Sequence, residues 1–184
     1  TAYSESLFLD YYYGTKAASE YVIGTRSSIR NDKPIIGVYN VNSEGSSDMY
    51  YKGANMLHTL RQIIKNDDKW RQILRGLNTE FHHQTVTTKQ IESYISNESG
   101  LNLEAFFDQY LRDTRIPTLE YRLKDNILSY RWTQVVNGFE MPIEINFSRE
   151  KKWLYPTEVW QEIELNSTEI DVDIDYYIKY NKVQ

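Results

Sequence analysis

A change of period at Pro117 narrows the fold more than any other feature of this sequence. Before it, apolar residues recur every three or four positions; after it they alternate. Helices and strands bury different faces, so two consecutive blocks of this kind read as α+β, a mainly helical part followed by a small antiparallel β-sandwich. The chain has 184 residues, enough for one ordinary domain or two small ones, and the switch divides it into residues 1–116 and 117–184.

In the first block Ala18, Tyr21, Val22 and Thr25 share a helix face. Tyr50, Gly53, Met56, Leu57, Leu60 and Ile64 form the clearest stripe, with Asp48 as the expected N-cap. Asp67 or Asp68 is expected to cap a helix that turns Trp70, Ile73, Leu74 and Leu77 inward and ends at Gly76 and Asn78. Thr87-Thr88-Lys89-Gln90 has capping-box spacing before Ile91, Tyr94 and Ile95, and Ser99-Gly100 is the expected stop. A short helix carries Leu103, Phe106, Phe107, Tyr110 and Leu111, closed by Ile116-Pro117 because the residue before proline is pushed out of helical space.

In the second block Leu119-Glu120-Tyr121-Arg122-Leu123 alternates, Asp125-Asn126 turns and residues 127–134 return. Asn137-Gly138 is a hairpin signal before the run from Met141 to Phe147, and residues 157–165 and 170–177 alternate again.

Composition removes whole classes of chemistry. No cysteine means no disulfide scaffold, thiolate metal site, iron–sulfur cluster or cysteine nucleophile. A net charge of −5 argues against a nucleic-acid partner, and no apolar run approaches a membrane span. The chain opens at Thr1 without Met or a signal-peptide core and runs straight into what reads as the interior of an element, so the expectation is a piece cut from a longer chain.

Several constellations have a plain structural reading beside a functional one. Asp171, Asp173 and Asp175 begin like a calcium loop, but Tyr176 and Lys182 stand where Gly and Glu are required, which leaves a strand with one acidic face. His82 and His83 are adjacent, so their side chains diverge, and they read as a solvated helix end; His58 reads as a packing or surface residue. Trp132, Trp153 and Trp160 fill a core or form an exposed stacking row. Three triplets, beginning at Asn97, Asn146 and Asn166, match a glycosylation acceptor and are frequent by chance. Tyr50-Tyr51-Lys52-Gly53 sits at the first turn of an amphipathic helix, where a phenol can face a cleft and donate to a developing oxyanion, or can simply occupy a buried helix start.

With Ala2-Tyr3-Ser4-Glu5, Leu60-Arg61, Trp70, Leu74-Arg75, Val86-Thr87-Thr88, the run from Ser99 to Leu111 and Arg115-Ile116-Pro117, this motif resembles the zinc aminopeptidase family typified by aminopeptidase N, the gluzincin metallopeptidases. Thr1 opens the first of these stretches, and the likeness spans residues 1–121. It implies that residues 1–116 are the C-terminal helical half of a thermolysin-like catalytic domain and residues 117–184 a small β domain. The parent would use zinc-bound water and a Glu of His-Glu-x-x-His to remove N-terminal residues from peptides. By the same resemblance Tyr50 donates to the oxyanion, Tyr51 is its non-catalytic neighbour, Lys52 is an ion-pair partner, Gly53 allows close helix packing, and Glu5 supports the metal site from behind its ligands.

His-Glu-x-x-His is absent, so the zinc belongs to the parent and this chain alone is expected to bind none and to be inactive. Its expected partners are a peptide substrate and an upstream zinc-binding subdomain of the same polypeptide, with self-association through the surface that subdomain would cover. The resemblance leans to a bacterial, extracytoplasmic parent. The rival readings are a non-catalytic binding or interaction module gripping carbohydrate or protein with its aromatic-rich sandwich, and a self-standing structural domain.

Overall fold

A computed structural model of the chain describes residues 2–184; Thr1 lies outside them. Helices α1 (Ala2–Tyr13) and α2 (Thr15–Gly24) are joined at Gly14, whose φ of 88° is open to glycine at little cost. Both pack on α3 (Tyr51–Ile64), which is followed by α4 (Asp67–Glu80), α5 (Thr88–Ser99) and α6 (Glu104–Phe107).

Ala18 and Val22 are buried as expected. The buried side of α3 differs from the apolar stripe: Tyr50 is exposed, and Lys52, Asn55, His58, Thr59 and Arg61 are buried beside Met56 and Leu60. The helix lies between α1 and α2 on one side and the strand region on the other, so it buries polar groups that find partners there. Asn55 Nδ2 donates to Val22 O at 3.0 Å, Arg61 bonds Asp10 and Asp67 at 2.8 Å each, and Thr59 Oγ1 accepts Tyr177 N–H at 2.8 Å.

Other helix ends also depart from expectation. Asn66, not Asp67 or Asp68, caps α4, accepting Lys69 N–H at 2.9 Å. That helix runs past Gly76 and Asn78 to Glu80, and Gly76 lies inside it where a Cβ would overlap the Tyr94 hydroxyl of α5. The short helix ends in a π turn, Asp108–Arg112, and Asp113 is already extended, ahead of Ile116-Pro117. In α5 the Thr87–Gln90 capping box is complete and Gly100 closes the helix at φ 75°.

Strands begin at Thr118. One sheet has the order β5-β2-β1-β7 and the other β4-β3-β6, where β1 is Thr118–Lys124, β2 Ile127–Thr133, β3 Ile143–Phe147, β4 Glu150–Leu154, β5 Gln161–Glu164, β6 Asp171–Val172 and β7 Lys179–Lys182. Asp125 and Asn126, at φ 51° and 61°, make the β1–β2 hairpin. Asn137-Gly138 does form a turn, but it carries the chain from one sheet to the other and closes no hairpin. Ser148 and Arg149 make the β3–β4 hairpin instead, at φ 45° and 71°. The sheets are not wholly antiparallel, since β7 runs parallel to β1.

The alternation at 170–177 yields a strand of two residues, so the acidic-face reading holds for Asp171 alone; Asp175 sits in the turn that follows. Trp132 is buried and donates to Met141 O at 3.0 Å, whereas Trp153 lies under Lys65 and Trp160 under Arg122 and Arg131.

Helices and sheets share one apolar cluster that includes Leu60, Phe106, Tyr110, Leu119, Ile143 and Tyr177. Tyr110 Oη donates to Tyr177 O at 2.8 Å, and Arg26 donates to Ile174 O at 2.7 Å. Among the described residues no helix is long and apolar enough to cross a membrane.

Candidate functional site

Tyr50 stands between a single 3₁₀ turn, Ser47–Met49, and α3. Its N–H donates to Ser47 O at 3.3 Å and its carbonyl accepts Ala54 N–H at 2.9 Å, so its main chain belongs to both. The side chain is 55% exposed, which leaves the phenol open to a ligand.

Two buried charges flank it. Asp48 and Lys52 are four residues apart on one side of the turn, and a residue midway between such a pair faces the opposite way. Asp48 is not the N-cap of α3: its carboxylate accepts Arg30 N–H at 3.0 Å and Asn31 N–H at 2.7 Å, and Ser46 caps the 3₁₀ turn. Among the described residues Lys52 forms no ion pair within 4.0 Å; its ammonium donates to the Asp113 carbonyl at 2.8 Å. Burial lowers the Lys52 pKa, against the attraction of the Asp48 and Asp113 carboxylates.

Among the described residues a Cβ built on Gly53 meets nothing within 4 Å. Tyr51, beside it, is 38% exposed. Glu5 is exposed on α1 and accepts a hydrogen bond from the Tyr21 hydroxyl of α2. That bond, with partial burial and the Glu5 and Tyr51 charges, pushes the Tyr21 phenol up to about 12. A shallow groove beside them is lined by Ser4, Glu5, Phe8, Leu9 and Tyr21. Tyr21 was legible from the sequence only as a helix-face residue; its pairing with Glu5 depends on the bend at Gly14.

His82 and His83 are exposed in the turn after α4. His58 is buried, and its Nε2 lies 2.9 Å from Asp175 Oδ1. Among the described residues no three His, Asp or Glu side chains converge to hold a metal ion.

No family model matches the chain, and no curated relative matches it. Among solved structures it is similar to Legionella pneumophila aminopeptidase A in complex with aspartic acid, with a TM-score of 0.64 and 16% identity over 98% of this chain. The chain spans 23% of the length of that protein. At this identity the likeness is one of fold.

Proposed function

We propose that this chain is the part of a zinc aminopeptidase that follows the metal site, dividing near residues 116 and 117 into a helical subdomain and a small β domain. The carrying observation is Tyr50, exposed at the start of α3 with Asp48 and Lys52 buried behind it. The fold shared with an aminopeptidase supports the same reading. In this reading the Tyr50 hydroxyl donates a hydrogen bond to the carbonyl oxygen of the scissile peptide as negative charge gathers on it. A donor of this kind contributes on the order of 100-fold or more to turnover. The metal, which activates water when bound, comes with the upstream subdomain. That subdomain also covers Phe8, Tyr11 and Tyr12, which stand exposed along α1. Glu5, held by Tyr21, supports the metal site from behind, and Lys52 fixes the start of α3.

The test compares this chain with one extended upstream through the expected zinc motif, assaying zinc content and cleavage of aminoacyl anilides. The reading requires zinc and cleavage in the extended protein alone, with Tyr50→Phe lowering kcat about 100-fold at unchanged zinc content. An extended protein that stays metal-free and inert overturns it in favour of a binding module.

A further inference from the structure

We propose that Asp48 is the positioning residue for Tyr50, an inference that rests on reading Tyr50 as an oxyanion donor. Asp48 is 2% exposed, and a buried carboxylate is tolerated only where its oxygens are hydrogen-bonded. Here they are divided between consecutive backbone amides, Oδ1 on Arg30 at 3.0 Å and Oδ2 on Asn31 at 2.7 Å. The Asp48 main chain is held as well, its N–H donating to Ser46 Oγ at 3.2 Å. The 3₁₀ turn that delivers Tyr50 is therefore tied by side chain and backbone to the base of the loop spanning residues 29–46.

That base is itself fixed. Asn31 sits at φ 51° and its Nδ2 donates to the Tyr177 hydroxyl at 3.0 Å, so the tether reaches the strand region. On the other side of Tyr50, Lys52 is pinned to Asp113. With α3 held by Lys52, the remaining freedom of the Tyr50 backbone is rotation of the short turn before it, and Asp48 removes that freedom. An oxyanion donor needs such fixing, because hydrogen-bond stabilisation of a developing charge depends on the donor being in place beforehand.

The test uses the 184-residue chain labelled with 3-fluorotyrosine, the Tyr50 resonance being identified by its loss in Tyr50→Phe. In Asp48→Asn the amides of Arg30 and Asn31 are expected to exchange about 10-fold faster or more. The Tyr50 resonance is expected to move toward that of free fluorotyrosine while buried Tyr110 stays put. If Asp48→Asn unfolds and Tyr110 moves too, Ser46→Ala decides: it keeps the Asp48 carboxylate while removing the acceptor of Asp48 N–H and a 3.4 Å hydrogen bond to Asp32 Oδ1, and is expected to shift Tyr50 in the same direction by less. An unmoved Tyr50 resonance in either folded variant overturns the proposal and leaves Asp48 as an anchor for the loop alone. The readout is Tyr50 itself and not cleavage, so an inert extended protein overturns the peptidase reading without touching this result.

Discussion

His58 Nε2 and Asp175 Oδ1 stand 2.9 Å apart across 117 residues of chain, joining the middle of α3 to the turn after β6. His58 Nδ1 is buried with no partner among the described residues. A carboxylate only accepts, so His58 Nε2 carries the N–H directed at Asp175. Burial pushes the Asp175 carboxyl up, but the hydrogen bond and charge of His58, with Ser19 and Arg26, outweigh it and hold the pKa below the ordinary carboxylate range.

Removing Asp175 is expected to loosen the joint between helices and sheets. Asp175→Ala leaves the His58 N–H buried and unpaired, at a cost of about 1–3 kcal/mol in chemical denaturation. The pKa of Asp175 is lowered in the folded chain, so its contribution is present above the unfolded value near about 3.9 and is lost as pH falls through the folded one. Wild type is thus expected to lose its advantage over the variant as pH falls below about 4, and a constant difference across that range would contradict the assignment.

Local chemistry was readable in the sequence and long-range pairing was not. The Thr87–Gln90 box, the Gly100 stop and the Asp125-Asn126 turn depend on a few adjacent residues, and all formed. Asn137-Gly138 makes the turn its sequence predicts but closes no hairpin, because a dipeptide fixes local dihedral angles and not which strands meet beyond it. The parallel β1–β7 pair joins residues about sixty apart and leaves no periodic trace. At the candidate site, the Tyr50 motif was visible as a helix start. The partner that Lys52 finds here is the backbone carbonyl of Asp113, and a carbonyl has no residue type for a motif to register. Asp at a helix start usually caps it, but Asp48 reaches across to residues 30 and 31.

Two glycines inside helices are expected to answer alanine differently. A Cβ on Gly53 meets open space, so Gly53→Ala is expected to stabilise the chain by about 0.5–1 kcal/mol through helix propensity alone. At Gly76 the same methyl displaces the Tyr94 hydroxyl, which offsets that gain. Introducing Gly76→Ala into Tyr94→Ala is expected to restore it, and urea midpoints of the four proteins measure the coupling.

Tyr3 and Trp70 form a second buried joint. Trp70 Nε1 donates to Tyr3 Oη at 2.9 Å, with the rings edge to face at 6.0 Å between centroids. Tyr3→Phe keeps the ring and leaves the indole N–H without an acceptor, an expected loss of about 1–3 kcal/mol read as a lower urea midpoint. Burial pushes the Tyr3 phenol up to about 12, so the folded chain holds this proton more tightly than the unfolded one. Its stabilising effect is therefore present below pH 10 and lost toward pH 12, and the alkaline fall in stability is expected to be shallower in Tyr3→Phe.

Lys52 carries the opposite pH signature. Its pKa in the folded chain lies below the ordinary 10.5 because burial disfavours the ammonium more than the Asp48 and Asp113 carboxylates favour it. Between the folded value and 10.5 the unfolded chain binds more protons than the folded one, so this group makes stability rise with pH over that interval. Lys52→Met keeps a long side chain without the charge and serves as the reference, cancelling the tyrosines that titrate in both proteins. The stability of wild type relative to Lys52→Met is expected to increase as pH rises from neutral toward 10.5 and to level off above it. Paired urea titrations across that range measure the slope, and a flat difference would mean that the ammonium behind Tyr50 is as well solvated as in the unfolded chain.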